Sequence, residues 1–209
     1  MSSEIKNNEN IKSCIILCGG QSRRMGRDKG SMIIQNEPMI KHILSTLNHQ
    51  INEVVIVLND RTRIDKYSEF INPQDYTYTI TFLEDMIKNK GPMPGIMTGL
   101  SEIKSDYALV LPCDSPYVSE KYIQTIFSEI EEDYQAIVPY HDNDNKLKTS
   151  EPLHSIYNKN VIPEIEKLVN EDILHIKGLI EKIDAKFVLI DNKKIEKKEF
   201  KNLNRPEDI

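Results

Sequence analysis

Short apolar runs that alternate with segments of helical period constrain this chain more than any other feature. SCIILCG reads as a buried strand, and EVVIVLND, YTITFLED and YALVLPCDS as further strands. EVVIVLND is too continuously apolar for a one-sided sheet and suits a parallel strand covered on both faces. Between these runs, PMIKHILSTLNHQI places Ile40, Ile43, Leu44 and Leu47 on one helical face behind a proline. Further helices are expected near 61 to 70, near 94 to 104, and in SEKYIQTIFSEIEE, where Ser119 can cap. Repeated β-α-β units imply right-handed crossovers and a three-layer α/β/α sandwich with a Rossmann-like, mostly parallel sheet. A ligand site is then expected at the carboxyl ends of the strands.

From Tyr134 onward the pattern changes. QAIVPYHD and EPLHSIYN read as strands joined by the polar loop NDNKLKT, a pair expected to form a small antiparallel arm or lid. Helical segments at about 160 to 170 and 175 to 183 precede a last strand, KFVLID. The run DNKKIEKKEFK reads as a solvated surface. Residues 1–10 are expected to be a flexible tail and 11–209 a single domain.

Hydrophobic residues at 39% and charged residues at 29% suit a globular chain, and a formal charge of −6 disfavours a general nucleic-acid or membrane-surface binder. Any anion site must therefore be a local basic patch. Without an apolar stretch near the ~18 residues of a membrane span, and without a secretory h-region in MSSEIKNNENIK, a cytoplasmic location is expected. Cys14, Cys18 and Cys113 lie in or beside apolar runs, where buried reduced thiols are the expectation. Cys14-x-x-x-Cys18 lacks the usual two-residue zinc spacing.

The stretch IILCGGQSRRMGRDKGS ends the first strand in a glycine pair, Gly19 and Gly20, which can take positive φ and converge backbone N–H groups on an anion. Arg23, Arg24, Arg27 and Lys29 place four cations within seven residues, a density that a triphosphate would balance. The P-loop pattern fails because Gly26 is followed by Arg27 and Asp28, and the dinucleotide G-x-G-x-x-G fails as well. The other reading is a glycine-rich turn with solvated arginines. Asn59, Asp85 and Asp114 also follow strand-like runs, which would bring them to the edge that holds Gly19. Taken singly, each is equally a turn former or a cap.

The arrangement L-C-G-G-x-S-x-R-M-G-x-D-K, with Leu17, Gly19, Gly20, Ser22, Arg24, Met25, Gly26, Asp28 and Lys29, resembles the signature loop of nucleotidyltransferases. It is most similar to that of the molybdenum cofactor guanylyltransferase family, with Cys18 in place of the usual alanine. Five further elements follow in the family's order: Asn59, Asp85 in TFLEDM, Gly91 and Gly95 in GPMPGIMTGL, Asp114 in CDSP, and NLNRPEDI with Arg205 for threonine. The resemblance implies the fold of nucleotide-diphospho-sugar transferases and transfer of GMP from GTP to molybdopterin with release of pyrophosphate. Arg24, Lys29 and Asp114 would be catalytic. Leu17, Cys18, Gly19, Gly20, Lys29, Asn59, Asp85, Gly91, Gly95 and Asp114 would bind nucleotide, and Asn202 and Asn204 the acceptor. Asp114 would hold Mg2+, with Mn2+ as a substitute. Transient contacts with cofactor-biosynthesis proteins and molybdoenzyme chaperones are further implied. His154, in EPLHSIY, would either line the acceptor side or be a partly buried strand histidine. A related enzyme using CTP or another phosphorylated acceptor, or a silent nucleotide-binding adaptor, are the competing readings.

Overall fold

The computed structural model describes residues 11–19, 28–142, 145–191, 193 and 195–203; the expected tail at 1–10 lies outside them. Strands β1 (Ser13–Leu17), β4 (Glu53–Leu58), β5 (Thr79–Glu84) and β6 (Tyr107–Pro112) pair in parallel in the order β5-β4-β1-β6. A two-residue hairpin, β2 (Ile33–Ile34) and β3 (Glu37–Pro38), turns through Gln35 and Asn36 at positive φ and leads into α1 (Met39–Leu47). Helices α2 (Arg61–Phe70), α3 (Met93–Glu102) and α4 (Glu120–Ser128) fill the crossovers. Ser119 accepts from the N–H of Tyr122 and starts α4, as its sequence predicts.

Why the strands are apolar throughout is visible in how their residues divide. Successive side chains point to opposite faces. Cys14 and Ile16 join Ile40, Leu44, Tyr67 and Tyr122 in one core layer. Ile15 and Leu17 join Ile96, Leu100 and Ile165 in the other. Both faces of the central strands are therefore covered, and each fully buried Ile or Leu contributes about 1.5–3 kcal/mol.

The expected antiparallel pair exists but stands elsewhere. β7 (Ala136–Tyr140) and β8 (Ile156–Asn158) pair antiparallel, and β8 also pairs antiparallel with β6. The pair thus extends the main sheet to seven strands, β5-β4-β1-β6-β8-β7-β9, instead of projecting as an arm or lid. Ala136, Ile137 and Ile156 are fully buried, so their apolar faces find partners in the core layers. After α5 (Ile162–Asn170) and α6 (Ile176–Ile180), β9 (Ala185–Leu189) closes the far edge in parallel with β7.

The run expected to be a solvated surface is corrected too. Ile195, Glu199 and Phe200 are buried, and a 3-10 turn over Lys197–Phe200 carries a capping box between Glu196 and Glu199. Lys193, Lys197, Lys198 and Lys201 are exposed, while Phe200 packs edge-on against Tyr122, His141 and His154.

Candidate active site

The chain runs from β1 outward through β4 and β5, then returns to the other side of β1 with β6. The sheet order therefore reverses between β1 and β6, the place where open α/β sheets leave a crevice. A cavity of about 650 Å³ opens there, at the carboxyl ends of the strands. Of the residues singled out from sequence, Leu17, Cys18, Gly19, Lys29, Asn59, Asp85, Gly91, Gly95, Asp114 and Asn202 all line it. Gly20, Arg24 and Asn204, with Arg23, Arg27 and Arg205, lie outside the described residues.

Asp114 stands two residues beyond β6, and its carboxylate oxygen Oδ2 accepts from Nζ of Lys29 at 2.8 Å. The side chains are 12% and 26% exposed, so the pair is sheltered yet open to a ligand. The C-terminal segment braces this turn: the N–H of Leu203 donates to the carbonyl of Asp114 at 2.8 Å, and Ser115 donates its hydroxyl to Oδ1 of Asn202. The hydroxyl of Ser115 thereby holds the carboxamide of Asn202 at the cavity wall.

At the other side of β1, Asn59 follows β4 and Asp85 follows β5. Gly19 needs to be glycine for a different reason from the one sequence suggests. Its φ is not in the left-handed region; a Cβ there would lie 2.8 Å from Oδ1 of Asn59. Gly91, by contrast, has φ of 76° and packs on the carbonyl of Leu174, so both the turn and the contact exclude a side chain. Asp85 is 7% exposed and accepts from the N–H of Ile87 at 3.2 Å and from the hydroxyl of Thr98 at 3.4 Å. Burial pushes its carboxyl above the usual range, opposed by those two hydrogen bonds and by Lys88.

Arg63, which sequence reading passed over, also belongs here, beside Asp28 of the signature loop. Arg63 and Asp28 line the cavity and form an ion pair with each other. Burial is the largest single influence on Arg63 and disfavours its charge, but the Asp28 carboxylate together with Tyr67 and Cys18 outweighs it and holds the guanidinium above its ordinary value. The signal available in sequence was weak, an arginine on the first turn of the helix that follows Asn59.

All three cysteines are free and buried, as expected. Burial, and then the neighbouring Cys113 thiol, push the Cys18 thiol well up, which keeps it protonated and unreactive. His154 is 2% exposed in a 3-10 turn rather than a strand, and burial lowers its pKa to about 3. It does not line the cavity, although its neighbour Leu153 does.

Among the described residues, no group of three or more His, Cys, Asp or Glu side chains is arranged to hold a metal, and no helix is long and apolar enough to cross a membrane. Mg2+ keeps several waters and takes one or two carboxylates together with substrate oxygens, so a single carboxylate would be enough to hold it. Asp114, on the cavity wall, meets that requirement.

Residues 14–186 match the model of the MobA-like NTP transferase domain. The probable molybdenum cofactor guanylyltransferase of Methanothermobacter thermautotrophicus is 32% identical over 202 residues, 95% of this chain and 98% of that protein. The molybdenum cofactor guanylyltransferase of Aliivibrio fischeri strain MJ11 is 30% identical over 94% of this chain and 93% of its own length. Among solved structures, molybdopterin-guanine dinucleotide biosynthesis protein A from Archaeoglobus fulgidus superposes with a TM-score of 0.73 at 24% identity, over 95% of this chain and 94% of that one. The 4-diphosphocytidyl-2C-methyl-D-erythritol synthase of Anaerococcus prevotii shares the fold at 0.68 and 15% identity, over 95% and 92%.

Proposed function

We propose that this chain, which belongs to the MobA-like NTP transferase family, transfers GMP from GTP to the terminal phosphate of molybdopterin and releases pyrophosphate. A phosphate oxygen of the acceptor attacks the α-phosphorus of GTP in line; the bond from that phosphorus to the bridging oxygen breaks, and pyrophosphate leaves with the electron pair. No covalent enzyme intermediate is required, so catalysis reduces to positioning and charge compensation.

The observation that carries this reading is one cavity holding Lys29 paired to Asp114 on one side of β1 and Asn59 with Asp85 on the other. In our assignment Lys29 offsets the charge that grows on the leaving pyrophosphate. Asp114 would hold Mg2+, which when bound neutralises phosphate oxygens and makes the α-phosphorus more electrophilic. Asn59 and Asp85 would bind the guanosine. A carboxylate accepts the adjacent N–H donors on the Watson–Crick edge of guanine, whereas cytosine would turn a ring-nitrogen acceptor towards it. Asn202 would donate to the acceptor phosphate. The three free thiols favour a reducing, cytoplasmic setting.

The test is turnover with GTP, Mg2+ and molybdenum-loaded molybdopterin, read as pyrophosphate release. Release from CTP but not from GTP overturns the base assignment, and release from neither overturns the activity.

A further inference from the structure

Asp28 immediately precedes Lys29, yet the two side chains are engaged in opposite directions. Lys29 reaches 85 residues ahead to Asp114. Oδ1 of Asp28 accepts from Nη2 of Arg63 and, at 2.9 Å, from the hydroxyl of Tyr67. Asp28 occupies the cap position of the three-residue 3-10 turn that carries Lys29, and its side chain makes no capping bond there. It is committed instead to a partner helix 35 and 39 residues on.

That helix is a firm support. Arg63 and Tyr67 stand four residues apart on α2 and so share one face. Tyr67 is fully buried in the core layer beneath β1 and stacks at a tilt on Phe70, while the Arg63 side chain is 18% exposed and lines the cavity. A 3-10 turn of three residues has little rigidity of its own. A lysine side chain is also long and rich in rotamers, so its direction depends on what holds its backbone.

We propose that Arg63 and Tyr67 are positioning residues: through Asp28 they hold the Lys29 turn at the register in which its ammonium meets Asp114. The Asp-Lys pair of the loop is then two halves of one device, Asp28 the anchor and Lys29 the working cation. The proposal rests on our assignment of Lys29 to the pyrophosphate end of the nucleotide. A displacement of about 1 Å in such a group can cost on the order of a hundredfold in rate.

A double-mutant cycle tests this, because residues acting through one another are non-additive. Arg63→Ala and Tyr67→Phe are each measured with Lys29 present and in the Lys29→Ala background. The expected result is a loss of roughly tenfold to a hundredfold in kcat from Arg63→Ala, a smaller loss of the same kind from Tyr67→Phe, and less than about a twofold further loss from either once Lys29 is gone. Multiplicative losses overturn the proposal, since they mean that Arg63 touches substrate itself or that both residues only support the fold. Tyr67→Phe keeps the ring in the core and removes one hydroxyl, so the cycle remains readable if Arg63→Ala does not fold. The same cycle read as affinity for inorganic pyrophosphate by calorimetry requires no acceptor and no choice of base. Coupling there supports the anchoring even if GTP turnover fails, and additivity there sinks it even if GTP is the substrate.

Discussion

Nζ of Lys29 lies 2.8 Å from Oδ2 of Asp114, an ion pair on the wall of the cavity that links the turn after β1 to the end of β6. Both groups have their counter-ion before substrate arrives, so the site needs no rearrangement of its charge to remain folded. Asp114→Asn keeps the shape and removes the charge. We expect pyrophosphate release to fall by roughly a hundredfold to a thousandfold, as for loss of one preorganised electrostatic contact, with little change in melting temperature. Undiminished turnover at ordinary Mg2+ would contradict the role given to Asp114.

Asp85 is predicted to oppose stability while serving binding. Burial raises its pKa, so the folded state holds its proton more tightly than the unfolded one. A group of that kind loses stability as pH rises through the interval between its unfolded and folded pKa values, and the cost persists at neutral pH. Asp85→Asn should therefore leave the ligand-free protein as stable or more stable at pH 7, and flatten that part of the pH profile. The same change should cut the preference for GTP over CTP by about tenfold to a hundredfold, the worth of a good paired base contact. Thermal melting with and without each nucleotide reads both effects, because a ligand that binds only the folded state raises its apparent stability.

Gly19→Ala is expected to damage nucleotide binding through Asn59. The added methyl carbon would lie 2.8 Å from Oδ1 of Asn59, so the carboxamide must swing away or the end of β1 must shift. Overpacking of this kind costs about 1–3 kcal/mol. A variant that melts as the parent does and binds GTP equally well would refute the close-packing explanation for this glycine.

His154 should give the protein an acid-sensitive term. Both ring nitrogens are buried without a hydrogen-bond partner among the described residues, next to His141 and against the ring of Phe200. Its pKa falls from 6.5 to about 3. Below 6.5 the unfolded chain therefore takes up a proton that the folded chain refuses, and stability drops as pH falls, by about 1.4 kcal/mol per unit. Melting curves between pH 7.5 and 5 should be steeper for the parent than for His154→Leu. Equal slopes would place the acid sensitivity in other groups.

Much of the site was legible because strand-ending polar residues obey a local rule. Runs such as EVVIVLN and YALVLPCD are apolar until they leave the sheet, and parallel pairing then brings their ends to one edge. That rule placed Gly19, Asn59, Asp85 and Asp114 around a single cavity. It says nothing about β8, whose strand runs against both neighbours and fills the sheet where a projecting arm was expected. The polar character of NDNKLKT marks a turn, but only the packing of Ile137 and Ile156 into the core decides where the pair goes.

The burial of Phe200 within a lysine-rich run, and the anchoring of Asp28 by Arg63 and Tyr67, were likewise invisible in sequence. The sequence by itself determined the α/β alternation, the edge at which a ligand binds and most of the residues found there, because periodicity and strand ends are properties of neighbours along the chain. Tertiary structure alone decided which charges meet, pairing Lys29 with Asp114 and Asp28 with Arg63 instead of with each other. Those pairings span 85 and 35 residues, and distances of that kind are set by how the layers pack, to which no local pattern answers.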